Sequence, residues 1–271
     1  MIAGAYMVPH PPLIVPEVGR GQEKNIQNTI DAYHEVGRSI GRLKPEVIVL
    51  ISPHQTMYAD YFHISPGTGG RGDFGRFQAG QVKMRVPYDT EFVEHLCRKA
   101  RIAGLPAGTE GERSRELDHG TMVPLYFVNQ YRTSYRLVRM GLSGLPLSVH
   151  DQLGQKIWET AEELDRRTVL IASGDLSHRL KPDGPYGYQK EGPEYDRRVM
   201  EIMGKGNFPE LLTFDESFCE RAGECGHRSF VMMAGALKQV KVTPRRLSYE
   251  GPFGVGYGIC AYEVMKDGTE S

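Results

Sequence analysis

Three of the nine histidines in this sequence come shortly after apolar segments that are typical of buried β-strands. An imidazole can bind a transition metal through a ring nitrogen, and its pKa near neutrality also suits proton transfer. If the three strands are parallel, their carboxyl ends lie at one edge of the sheet, where open α/β proteins bind ligands. We therefore predict a shared site for His10 in Pro-His-Pro-Pro, His54 in Ser-Pro-His, and His178 in Ser-Gly-Asp-Leu-Ser-His.

Prolines stiffen two of these turns. Pro9 and Pro11 flank His10, and Pro53 precedes His54. Because proline fixes φ and removes a backbone donor, such turns have few conformations. A rigid backbone holds a ligand at little ordering cost. The alternative is that each turn is structural and its histidine only ends a strand, but the shared placement favours a common site.

Two further segments place polar side chains before apolar helices. His119 follows Asp118 in an Asp-His-Gly turn, and the free N–H groups at a helix N-terminus suit an anionic ligand. Asp118 could instead serve only as an N-cap. Glu224 lies in a glycine-flanked turn before the last apolar helix, and we predict it to be a carboxylate ligand. Its neighbour Cys225 could be a soft ligand, a reactive thiol or a small buried residue.

The segments around these motifs alternate between strand and helix patterns. Continuous apolar runs and three-to-four-residue periodicity distinguish the two kinds of segment. Strands are predicted at 2–8, 47–51, 136–142, 168–172 and 255–264, and helices from the twenties to the low forties and at 89–100, 148–164, 193–200 and 226–237. This alternation predicts one α/β domain over residues 1–271, with a mostly parallel mixed sheet covered by helices on both faces.

The segment from Gly67 to Gly80 is rich in glycine, and we predict a long flexible loop there. Its spacing does not match a dinucleotide-binding fingerprint, because no strand-to-helix frame surrounds it. A plain surface loop is the simpler interpretation, and a mobile lid over the site is the alternative.

The composition excludes several classes of protein. Charged residues make up 25% of the 271 residues and the formal net charge is -1, so charge gives no case for binding nucleic acid or an anionic membrane. We find no signal-peptide pattern and no apolar run long enough to span a bilayer. The four cysteines show no Cys-x-x-Cys spacing, which predicts free thiols and a cytoplasmic location.

The motifs, taken in order, resemble a known family of enzymes. The sequence resembles the catalytic LigB-type subunit of class III extradiol ring-cleavage dioxygenases. The resemblance rests on the three histidine motifs together with Asp-His-Gly-x-x-x-Pro-Leu and Ala-Gly-Glu-Cys-Gly. The likeness is closest to the Memo-like branch of the AmmeMemoRadiSam gene system. The resemblance implies an α/β core and a non-haem Fe(II) ion held by His10, His54 and Glu224. It also implies that His178 is an acid/base and that His119 lines the substrate pocket.

The resemblance implies an extradiol dioxygenase that acts on a catechol-type or related aromatic substrate. Two histidines and one carboxylate leave open coordination positions on Fe(II). Substrate and O2 bound there would be in contact, which supplies proximity. Mn, Zn and Cu are the alternative metals, and we expect a homo-oligomer.

Cys225 leaves a second function open. Memo-like relatives carry a cysteine at the third ligand position, and Cys225 is adjacent to Glu224 here. A thiolate would favour copper or zinc, whereas a carboxylate favours iron or manganese. The alternative function is therefore a Memo-like metal-binding or redox accessory protein without ring-cleavage activity. A third and weaker alternative is a metal-dependent hydrolase, because an open metal site can also activate water.

Overall fold

The computed structural model describes residues 1–265. The strands are β1 (Ile2–Val8), β2 (Val47–Ile51), β3 (Phe62–His63), β4 (Gly69–Phe74), β5 (Ala79–Pro87), β6 (Ala107–Gly108), β7 (Arg136–Met140), β8 (Thr168–Ser173), β9 (Val242–Glu250) and β10 (Tyr257–Val264). The helices are α1 (Pro16–Gly19), α2 (Gln27–Leu43), α3 (Thr90–Ile102), α4 (His119–Val128), α5 (Leu147–Glu163), α6 (Glu191–Lys205), α7 (Glu216–Ala222) and α8 (His227–Leu237).

A six-stranded mixed sheet of order β7-β2-β8-β1-β10-β9 forms the centre of the fold. The strands β7, β2, β8 and β1 pair in parallel, and β10 and β9 extend the sheet by antiparallel pairing. The predicted α/β fold with a mostly parallel mixed sheet is thereby confirmed.

Both faces of this sheet are buried under helices. Val47, Val49 and Ile51 of β2 face the core that includes α3, α5, α6 and α8, whereas Ile48 and Leu50 face the core under α2 and α4. Successive strand residues point to opposite faces, so a strand covered on both sides must be apolar throughout. Within residues 1–265, no helix combines the length and hydropathy needed to cross a membrane.

The parallel strands end at the same level. Val8 of β1 pairs with Ser173 of β8, and Ile51 of β2 pairs with Ala172 of β8. The turns that follow β1 and β2 therefore begin at the same level on either side of β8, at the carboxyl edge of the sheet. The turn after β1 carries His10, and the turn after β2 carries His54.

The glycine-rich segment forms a hairpin, so the prediction of a flexible loop was wrong. β4 and β5 pair in antiparallel fashion. A Cβ added at Gly70 would lie 2.4 Å from the hydroxyl of Tyr88, and one at Gly72 would lie 2.7 Å from Sδ of Met122. The glycines thus permit close packing of the hairpin on α4 and its surroundings, because any larger side chain would meet atoms already in place.

A buried ion pair fixes the start of α4. Nη2 of Arg139 in β7 donates to Oδ2 of Asp118 at 2.9 Å, and the Arg139 side chain is only 2% exposed. Asp118 also caps α4 by accepting a hydrogen bond from the backbone N of Thr121 at 3.0 Å. Burial opposes ionisation of Asp118, but Arg139 and two hydroxyl hydrogen bonds outweigh burial and lower its pKa. The pair therefore positions His119, the next residue.

Replacing Arg139 by methionine would leave the buried Asp118 carboxylate without its charged partner. We expect Arg139→Met to lower the free energy of unfolding by about 3–5 kcal/mol. Arg136→Met is the matched control, because Arg136 is an exposed arginine on the same strand, and it should change stability by less than about 0.5 kcal/mol. Urea denaturation followed by circular dichroism measures both variants. Equal losses in the two variants would contradict a special role for Arg139.

Candidate metal centre

Three histidine side chains converge at the carboxyl edge of the sheet. One ring nitrogen each of His10, His54 and His119 lies within 4.8 Å of the other two. The Nε2 atoms of His10 and His54 are 2.9 Å apart. Protein metal–nitrogen distances are about 2.1 Å, which places two nitrogens on one ion roughly 3 Å apart. The arrangement therefore fits one shared transition-metal ion.

His10 is held by the end of β8 and the turn after it. Its backbone N donates to Oδ1 of Asp175 at 2.7 Å, and its Nδ1 lies 2.9 Å from Oγ of Ser173. The Ser173 hydroxyl donates its proton to the carbonyl oxygen of Gly120 at 2.6 Å, so Oγ accepts from Nδ1–H of His10. This assigns the ring proton to Nδ1 and leaves the Nε2 lone pair for a metal.

The electrostatics of the cluster keep its histidines neutral. Burial lowers the pKa of all three. Neighbouring imidazoles lower the pKa of His10 and His119 further, and that of His119 falls to about 3. Neutral imidazole is the form that ligates metals. The cluster is therefore in its metal-binding protonation state at neutral pH.

His178 lies beside the cluster without belonging to it. Its Nδ1 donates to the carbonyl oxygen of Gly223, so its Nε2 is unprotonated in the neutral ring. That Nε2 lies 3.9 Å from Oδ2 of Asp175, and the same oxygen lies 3.9 Å from Nε2 of His10. Asp175 therefore connects the predicted acid/base with the cluster.

Sequence reasoning gave no role to Ser173 or Asp175. Both lie within the Ser-Gly-Asp-Leu-Ser-His motif that ends at His178, so the signal was present in the motif that drew attention to the histidine. A serine and an aspartate are common in turns. Only the packing of this turn against His10 distinguishes them from ordinary turn residues.

Glu224 and Cys225, the two other candidate donors, have different surroundings. Oε2 of Glu224 accepts a hydrogen bond from the backbone N of His227 at 2.6 Å, at the N-terminus of α8, and Glu224 is not a member of the histidine cluster. Sγ of Cys225 lies 3.6 Å from Nε2 of His10. Burial raises the pKa of Glu224 to about 7 and that of Cys225 well above its usual value. Of the two, the thiol contacts a histidine of the cluster and the carboxylate supports a helix.

A cavity of about 1010 Å³ lies next to the cluster, and His54 and His119 form part of its wall. The ring of Phe77, in the turn between β4 and β5, packs edge-on against His119 with 5.5 Å between ring centroids. His119 therefore lies both in the cluster and at the wall of the cavity.

Comparison with known proteins gives the family. The family described as the catalytic LigB subunit of aromatic ring-opening dioxygenase matches residues 4–260. Protein CA_C1420 of Clostridium acetobutylicum is 38% identical over 98% of this chain, and the chain spans 58% of that protein's length. The 2-aminophenol 1,6-dioxygenase beta subunit of a Pseudomonas species is 26% identical over 98% of this chain and 95% of its own.

Two further similarities agree with this match. A MEMO1 family protein of Thermococcus onnurineus is 29% identical over 72% of this chain and 67% of its own length. The crystal structure of the uncharacterised protein JW3007 from Escherichia coli K12 superposes with a TM-score of 0.57 at 14% identity, covering 96% of this chain and 99% of that one, which shows a common fold. The chain thus belongs to the LigB family, the catalytic subunits of aromatic ring-opening dioxygenases, whose motifs the sequence resembles.

Proposed function

We propose that this chain is a non-haem Fe(II)-dependent dioxygenase that opens a catechol-type or related aromatic ring with O2. The observation that carries the proposal is the cluster of His10, His54 and His119, two of which, His54 and His119, line a cavity large enough for a ring. Membership of the LigB family supports oxidative ring chemistry. A ligand set of neutral imidazoles suits iron as well as zinc, copper and nickel, so the choice of iron rests on the family.

The cluster histidines would hold the metal, with Cys225 as the nearby sulfur donor. Glu224, the carboxylate that the family resemblance implies, accepts a hydrogen bond from α8 through Oε2 and lies outside the histidine cluster. When bound, Fe(II) supplies open coordination positions that bring an aromatic diol and O2 together. The side chains around the metal would carry out the proton-transfer steps.

His178 is the proposed acid/base. Because its Nδ1–H is engaged by Gly223, its Nε2 is the atom that can accept a proton from a phenolic hydroxyl and return it later. Oδ2 of Asp175 lies 3.9 Å from this Nε2 and would stabilise the imidazolium that forms. His178 therefore has both a fixed tautomer and a countercharge.

His178→Gln should lower kcat by about 10²–10⁴-fold, because it removes the proton acceptor. Its iron content should be unchanged, since His178 is not a member of the cluster. O2 uptake and a yellow ring-fission product would be measured over a panel of catechols with protein loaded anaerobically with Fe(II). His95→Gln, on helix α3 and outside both the cluster and the cavity wall, is the control and should keep full activity.

Two outcomes would count against this account. Wild-type activity in His178→Gln would remove the residue from catalysis. If the wild-type protein fails to consume O2 with every catechol, the dioxygenase proposal itself is wrong.

The second candidate is a Memo-like metal-binding or redox accessory protein without ring cleavage. The observation that favours it is the 3.6 Å distance between Sγ of Cys225 and Nε2 of His10. A thiolate donor shifts metal preference toward copper or zinc. Burial raises the pKa of this thiol, so it is protonated unless a bound cation stabilises its thiolate.

Measurements of metal affinity distinguish Cys225 from Glu224 as the metal ligand. If Cys225 ligates, Cys225→Ala should weaken Co(II) binding by more than the roughly 10–100-fold typical of outer-shell substitutions, and abolish the sulfur-to-cobalt charge-transfer band. Glu224→Gln should keep both the affinity and the band, because its amide oxygen can still accept the hydrogen bond of α8. His54→Ala should lose binding under either ligand set. Loss of binding in Glu224→Gln with retention in Cys225→Ala would identify Glu224, and not Cys225, as the ligand beside the histidines.

A further inference from the structure

The β4–β5 hairpin presents basic side chains to the cavity beside the metal centre. Arg71 lies directly opposite Arg85 in the antiparallel register, and Asp73 lies opposite Lys83. These four residues line the cavity, together with Arg76 in the turn. One face of the hairpin is therefore charged and forms a wall of the cavity.

The two arginines form an unusual cross-strand pair. Opposite charges across a strand pair are favourable and like charges are unfavourable, so the Asp73–Lys83 pair is compatible with the sheet and the Arg71–Arg85 pair opposes it. Within residues 1–265, neither arginine has a carboxylate oxygen within 4.0 Å of a guanidinium nitrogen. Arg139 of the same cavity, in contrast, is paired with Asp118 at 2.9 Å.

The other charged side chains of the cavity wall do not neutralise the positive charge of Arg71 and Arg85. Besides Arg139 and Asp118, the wall carries four basic side chains and two carboxylates, those of Asp73 and Glu116. Asp73 already accepts a hydrogen bond from the backbone N of Gly75 at 2.8 Å. The cavity thus keeps an excess of positive charge, which would attract an anion.

The hairpin is tied to the metal centre at two points. Phe77 packs on the ring of His119. The backbone N of Leu117 donates to the carbonyl oxygen of Arg71 at 2.9 Å, two residues before His119. An anion held by Arg71 would therefore occupy the same cavity as a molecule bound beside His119.

We propose that Arg71 and Arg85 bind an oxyanion carried on an extension of the substrate's aromatic ring. This proposal rests on the proposed function and adds the substrate class. A guanidinium group matches the two oxygens of a carboxylate or phosphate with paired hydrogen bonds. The cavity of about 1010 Å³ lies at the upper end of the roughly 300–1,000 Å³ range of small-molecule sites, which leaves room for more than one ring.

The first test compares two catechols that differ only in charge. The probes are 3-(3,4-dihydroxyphenyl)propanoate and the corresponding propanamide, titrated calorimetrically into protein loaded anaerobically with Fe(II). We expect the wild type to bind the propanoate at least about 10-fold more tightly, as charged hydrogen bonds of this kind predict. In Arg71→Gln/Arg85→Gln the two affinities should become equal. Arg101→Gln, an exposed arginine of α3 outside the cavity wall, should keep the preference.

The second test needs neither metal nor turnover. Inorganic pyrophosphate is titrated into the metal-free protein, and its affinity should fall at least about 10-fold in the double variant and stay unchanged in Arg101→Gln. If no catechol binds but pyrophosphate binding depends on the two arginines, the anion site stands and the dioxygenase proposal fails. If the double variant matches the wild type with all three probes, the anion site is overturned.

A stability measurement separates binding from a structural role. Because the arginines repel each other, Arg71→Gln should raise the Tm of the ligand-free protein by about 1–3 °C. A fall in Tm together with an unchanged preference for the propanoate would assign Arg71 to the fold and overturn the proposal.

Discussion

The register of the parallel strands determines where the histidines of the candidate metal centre can converge. β1 and β2 both pair with β8, and their last residues stand opposite Ser173 and Ala172. A slip of one residue would turn every side chain of a strand to the opposite face, and would separate His10 from its partner Ser173. Apolar packing on both faces of the sheet fixes this register. The hydrophobic core and the site therefore depend on the same constraint.

The imidazoles of His10 and His54 can pack together while both are neutral, because each ring carries its proton on a defined nitrogen. Nδ1–H of His10 is engaged by Ser173, so the 2.9 Å contact between Nε2 atoms has His54 as donor and His10 as acceptor. A metal ion held by both Nε2 atoms would take the place of that proton, which would move to Nδ1 of His54 as the ring changes tautomer. Ligation would thus exchange a weak contact between neutral rings for two metal bonds.

Much of this arrangement could be predicted from the sequence, because continuous apolar runs identify buried parallel strands. β1 and β2 have the predicted bounds, and β8 extends one residue further, to Ser173. β9 was missed, since an edge strand with Arg245 and Arg246 exposed has no apolar run. The hairpin at 69–87 was missed because its glycines suggested a flexible loop. In the structure they allow close packing against residues outside the hairpin, and local sequence does not show this contact. The surroundings of Glu224 and Cys225 depend on the local turn, which sequence spacing does not reveal.

X-ray absorption at the metal edge tests the central claim most directly. The protein would be loaded with one equivalent of Fe(II) without oxygen, and its spectrum compared with that of His10→Ala. We expect a wild-type shell of imidazole nitrogens at about 2.1 Å, with the outer-ring scattering of three histidines, and the loss of one imidazole or of the metal in the variant. A shell of oxygen donors without imidazole scattering, unchanged by His10→Ala, would contradict the convergence of these histidines on a single ion.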